Sequence, residues 1–138
     1  NIMNVSIWNY TSDNDNIRGD QWNEEDFSIF SRSQQKDPAD ISSGGRALRA
    51  LLRPYPKATA GEPTRLSFEM KRRIFEYEFR HIPLVKAPTE IFVPRLQYPD
   101  GYNVQVSDGV WESDSGRQLL NYWHTLDQDL HGIRISPR

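Results

Sequence analysis

Three groups of side chains in this 138-residue sequence have the types that chemistry uses. The first is a run of carboxylates: Asp13, Asp15, Asp20, Glu24, Glu25 and Asp26. Asp13 and Asp15 open like a calcium-binding loop, and Glu24 falls at its twelfth position. Ile17, however, replaces the third ligand, and Arg18 stands where the sharp turn requires glycine. Calcium chelation is therefore set aside. Glu24, Glu25 and Asp26 could in principle offer the carboxyl pair of a glycosidase. Adjacent residues rarely present two carboxyls across one sugar, so no catalytic role is assigned to them. One of them, Glu24, is a candidate hydrogen-bond partner for a substrate, set against solvation as the plain alternative.

The second group is aromatic. Trp8 sits at the exit of an apolar strand, with Asn9 next to it, and Trp22 lies in the acidic stretch. Sugars stack their apolar faces on indole rings, so Trp8, Asn9 and Trp22 join Glu24 as substrate-binding candidates. Core packing is the competing role, and it weighs more for Trp22 than for Trp8. Tyr98, Tyr102, Trp111, Tyr122 and Trp123 could form a sugar or lipid platform, but such residues are more often core and turn packing.

The third group is His81, His124 and His131. They are scattered, no two have helical ligand spacing, and no Ser-His-Asp arrangement is readable. They are read as structural or surface histidines, and neither a metal site nor a cofactor is assigned. The run Lys71-Arg72-Arg73 reads as a solvated hairpin turn. Two sequons, at Asn4 and Asn9, read as chance matches, because the first lies inside the apolar strand.

The elements that must position these groups come in two kinds. Residues 2–10 alternate Met3, Val5 and Ile7 on one face with Asn4, Ser6 and Trp8 on the other. The second face carries no charge, which suggests a strand covered on both sides, as in a parallel sheet. A parallel strand needs neighbours in its sheet, and the sequence does not open with Met. The expectation is a chain that begins inside a larger fold. A long irregular stretch, 11–40, follows, and loops of that length are usually functional. A helix is expected over 44–53, with Ser42 or Ser43 as cap. Its apolar stripe is Ala47, Leu48, Leu51 and Leu52, and Pro54 ends it. Strand, loop and helix make one βα unit, and in a (β/α)8 barrel the loop after a strand builds the active site.

From Ala58 the pattern changes to short strands, expected over 65–69, 74–80, 89–94, 103–108, 118–124 and 132–136. Turn signals such as Pro99-Asp100-Gly101 and Asp108-Gly109 separate them. Such spacing indicates an antiparallel β-sandwich. The expected class is α/β then all-β. Residues 1–57 are the end of an incomplete (β/α)8 (TIM) barrel, and 58–138 are a C-terminal β-sandwich.

Composition excludes several functions. A net charge of −2 argues against nonspecific nucleic-acid binding. The absence of cysteine rules out disulfides and thiolate metal sites and fits a reducing compartment. No apolar run approaches the roughly 20 residues of a membrane span. The first residues read as a strand rather than a signal peptide, so the parent protein is expected in the cytoplasm.

Three stretches carry a family resemblance. WNYTSDNDNIRGDQWNEEDFSIFS (8–31), GGRALRALLRPYPKATAGEP (44–63) and PTEIFVPRLQYPDGYNVQVSDGVW (88–111) resemble fungal endoglycoceramidase-related enzymes of glycoside hydrolase family 5. The resemblance covers essentially the whole chain. It implies a retaining β-glucosidase acting on glucosylceramide or steryl glucosides, in contact with membrane surfaces. It also implies that the acid/base and nucleophilic glutamates lie on earlier barrel strands, so this chain would be inactive alone and would depend on the upstream barrel. The alternative is a non-catalytic β-sandwich module that binds carbohydrate, a lipid head group or a partner protein.

Overall fold

The computed structural model describes residues 17–19 and 26–138. They fall into two compact units, one ending at Leu51 and one running from Leu52 to Arg138. The strand expected at 2–10, with Trp8 and Asn9, lies outside the described residues, as do Trp22, Glu24 and Glu25.

The unit from Leu52 onward is a β-sandwich of eight strands. They are β1 (Tyr55–Ala58), β2 (Gly61–Glu69), β3 (Ile74–His81), β4 (Thr89–Phe92), β5 (Tyr102–Val106), β6 (Val110–Asp114), β7 (Leu119–Trp123) and β8 (Leu130–Pro137). One sheet has the order β1-β4-β7-β6 and the other β2-β3-β8-β5, and every pairing is antiparallel. All six strands expected in this part of the sequence are present. β1 and β6 were not expected, and β1 straddles the 57/58 boundary read from sequence.

The core follows from alternation along β3 and β8. Phe75, Tyr77 and Phe79 are buried, while Glu76 and Glu78 between them are partly exposed. Opposite them in register stand Ile135, Ile133 and His131, also buried. The other sheet contributes Thr89 and Ile91 from β4, paired with Tyr122 and Leu120 of β7. Buried polar groups find partners, as they must in a dry core. The Tyr77 and Thr59 hydroxyls lie 2.6 Å apart, Thr89 Oγ1 accepts the Ala60 N–H at 3.0 Å, and Tyr98 donates to Arg73 O at 2.9 Å. Outward positions carry charge instead: Arg65 donates to Glu76 and Glu78, and Arg134 donates to Glu76.

The other unit is described from Asp26 to Leu51, together with residues 17–19. Its centre is Arg46, whose Nη1 donates to Asp26 Oδ2 at 2.5 Å and whose Nη2 donates to Gln34 Oε1 at 2.9 Å. The Arg46 N–H also donates to Ile29 O, and the Ser31 N–H to Gly44 O, closing the segment at its root. Asp26 is thus a structural ion-pair partner, held below the usual carboxylate range first by the Ser28 hydroxyl and then by Arg46.

The helix expected over 44–53 is only one turn, α1 (Leu48–Leu51). Gly44 has φ +86° and Ala47 φ +52°, and neither conformation belongs to a right-handed helix. The Leu/Ala spacing overstated the helix because backbone turns at Gly44 and Ala47 interrupt it. The described residues therefore show a mostly antiparallel β protein with almost no helix, and no βα unit is seen among them. No described helix is long and apolar enough to cross a membrane.

Candidate functional site: a histidine and aspartate cluster

Three histidines lie at strand ends on one end of the sandwich: His81 closes β3, His124 follows β7 and His131 is the second residue of β8. His81 continues the inward face of Phe75, Tyr77 and Phe79, because it lies two residues beyond Phe79. His124 likewise continues Leu120 and Tyr122 of β7. His131 opens the inward face of β8 and faces Phe79 in register. β3 runs antiparallel to β8, so the last residue of β3 meets the start of β8. The fold thereby gathers three histidines that the sequence had left scattered. The cue was the period-two phase of three separate strands rather than any local spacing.

His131 is completely buried, and His81 and His124 are partly exposed. His81 Nδ1 lies 2.9 Å from His131 Nε2, and His131 Nδ1 lies 2.9 Å from Asp108 Oδ2. The ring centroids of His124 and His131 are 4.4 Å apart, and those of His81 and His124 are 5.1 Å apart. Phe79 forms the apolar floor, with centroid distances of 5.6 Å to His124 and 5.3 Å to His131.

Asp108 is the anchor of the cluster. It sits in the connection between β5 of one sheet and β6 of the other. The turn depends on Gly109, whose φ is +67° and where a Cβ would come within 2.0 Å of Trp123 O. Asp108 accepts hydrogen bonds from the Tyr122 hydroxyl, from Thr125 Oγ1 at 2.9 Å and from the Thr125 N–H at 3.3 Å. Burial alone would raise its pKa. The Tyr122 and Thr125 hydrogen bonds, then the electrostatic pull of the neighbouring His131 ring, outweigh that and hold it below the ordinary value. Burial, and then the Asp108 hydrogen bond, push Tyr122 up. Burial, and then His131 and His81, lower His124. Asp108 therefore joins Tyr122 of one sheet to His131 of the other.

Residues 53–135, more than half of the chain, match the glycoside hydrolase family 5 C-terminal domain. The chain belongs to this family. The sequence is 36% identical over 109 residues to a glucosylceramidase of Cryptococcus neoformans, covering 68% of the chain and 15% of that protein. It is 46% identical over 76 residues to endoglycoceramidase I of Rhodococcus hoagii, covering 55% of the chain and 15% of that protein. The crystal structure of Cryptococcus neoformans sterylglucosidase 1 superposes with a TM-score of 0.85 at 28% identity, covering 99% of the chain and 22% of that protein. This family 5 C-terminal domain chain therefore spans about a sixth of the length of these curated relatives. The family resemblance read from the sequence and the β-sandwich expected at the C-terminus both hold.

Proposed function

We propose that this chain is the C-terminal portion of a retaining β-glucosidase that hydrolyses glycolipids such as glucosylceramide or steryl glucosides. The observation that carries this is the shared sequence with a protein named glucosylceramidase. Retaining hydrolysis needs two carboxyls about 5–5.5 Å apart, one protonating the leaving oxygen while the other attacks the anomeric carbon. In this reading both belong to a barrel in the rest of the protein. Residues 1–57 end that barrel and supply part of its pocket wall. Trp8 stacks on the sugar, while Asn9, Trp22 and Glu24 line the pocket. The parent works in the cytoplasm, where it meets its substrate at membrane surfaces.

The test is an assay of the full-length parent on detergent-dispersed glucosylceramide and a steryl glucoside. Hydrolysis of at least one is expected, and none by residues 1–138 alone. Trp8→Ala in the parent lowers kcat/KM by about 10- to 1,000-fold through loss of stacking and of sugar positioning. A parent that cleaves neither glycolipid overturns the function. Full activity in Trp8→Ala overturns the pocket assignment.

A further inference from the structure

We propose that His81, His124 and His131 bind one divalent transition-metal ion of the zinc class, with Asp108 orienting His131 from behind. The ligand-bearing atoms of the three histidines all lie within 4.8 Å of one another. Zn–N bonds of about 2.0–2.1 Å in tetrahedral geometry place ligand nitrogens about 3.3 Å apart. The 2.9 Å between His81 Nδ1 and His131 Nε2 is already close to that separation. His124 follows the last residue of β7, so its side chain can turn toward the other two without breaking a sheet pairing.

The hydrogen bonds support a ligand role. Asp108 is a carboxylate and only accepts, so the proton of neutral His131 resides on Nδ1. That leaves a lone pair on His131 Nε2, aimed at His81. A carboxylate holding the far nitrogen of a histidine is the usual support behind a metal-bound imidazole. The Asp108–His131–His81 chain satisfies two of the three rings. It leaves His124 with ring contacts and, among the described residues, no hydrogen bond to its ring nitrogens. A metal ion shared by all three gives each ring a partner. His81 and His124 are partly exposed, so an ion can enter from solvent, and a water can complete the coordination. Three neutral imidazoles favour zinc, copper, nickel or cobalt over magnesium or calcium.

The test is calorimetric titration of Zn2+ into the purified, tag-free 138-residue chain after chelator treatment, with Mg2+ as the control ion. Ring 15N shifts of the histidines are followed by NMR. Zinc binds with one-to-one stoichiometry, shifts all three histidine rings and raises Tm, whereas Mg2+ does none of these. Asp108→Asn weakens zinc binding about 10- to 100-fold. His124→Gln, which removes no hydrogen bond from the cluster, keeps the fold by circular dichroism and weakens binding further. Absence of stoichiometric zinc binding to the unaltered chain overturns the proposal. So does zinc binding that survives in a folded His81→Gln/His124→Gln chain.

Discussion

The described residues of the two units treat their apolar side chains in opposite ways. In the sandwich, Phe75, Tyr77, Phe79, Ile91, Leu120 and Ile135 are fully buried among one another. In the segment from Asp26 to Leu51, Phe27 is 80% exposed and Ile41 93%, and Ile29, Phe30 and Leu51 are also exposed. Polar contacts hold that segment together instead, through Arg46, Asp26, Gln34 and the backbone bonds at its root. A unit that buries its apolar surface carries its own driving force for folding, whereas a partly buried ion pair such as Arg46–Asp26 contributes less than a packed core. The sandwich is thus a self-sufficient domain, and the segment is a shaped loop that presents apolar side chains outward.

The comparison breaks first at the core. Phe79 touches Tyr77, Tyr122, His124 and His131, so Phe79→Ala leaves a cavity between the sheets. The expected loss is about 3–5 kcal/mol of unfolding free energy. Phe27→Ala in the segment changes it by less than about 0.5 kcal/mol. Denaturant unfolding of both variants measures the contrast, and equal losses would refute it.

A smaller effect is expected at the link between the sheets. Asp108→Ala removes the acceptor used by Tyr122, Thr125 and His131 and leaves the buried His131 N–H without a partner. The cost is about 2–4 kcal/mol, from one or two orphaned polar groups. Asp108→Asn retains an acceptor oxygen and loses less, which separates the hydrogen bonds from simple packing. If thermal unfolding ranked Ala and Asn alike, Asp108 would not be the anchor described.

The smallest effect is a pH dependence of the segment. The Asp26 carboxyl is held below its ordinary value of 3.8 in the folded chain by Ser28 and then Arg46. A depressed folded value means that the stabilisation is present above 3.8 and lost as pH falls through the folded pKa. Acidification below about pH 4 should therefore release Arg46 and move the Ser28 and Arg46 NMR signals. Movement of the same signals near neutral pH would contradict the assignment.

These contrasts also show what the sequence could reveal. β3 was legible because Phe75, Tyr77 and Phe79 alternate with Glu76 and Glu78, and a half-buried strand has that signature. β6 was not, because Val110, Trp111, Glu112, Ser113 and Asp114 are all exposed on an edge strand, where burial imposes no alternation. β1 begins with Tyr-Pro, and proline suits an edge strand while obscuring the strand signal. The helix over 44–53 was overread because the positive φ of Ala47 leaves no trace in apolar spacing. The histidine cluster needed strand pairing. His81 and His131 stand 50 positions apart, and only the β3–β8 register brings them within 2.9 Å. The pocket candidates Trp8, Asn9, Trp22 and Glu24 lie outside the described residues, so their placement remains an expectation.

The central claim, a self-sufficient sandwich and a segment, 26–51, that buries no large apolar side chain among its described residues, is tested most directly by amide hydrogen exchange on the 138-residue chain. The amides of β3 (Ile74–His81) and those of residues 130–136 in β8 should exchange only on global unfolding. Those of residues 26–51 should exchange orders of magnitude faster, through local opening. Equal protection of the two regions, lost together in one transition, would contradict the account and show that the segment shares the sandwich's core.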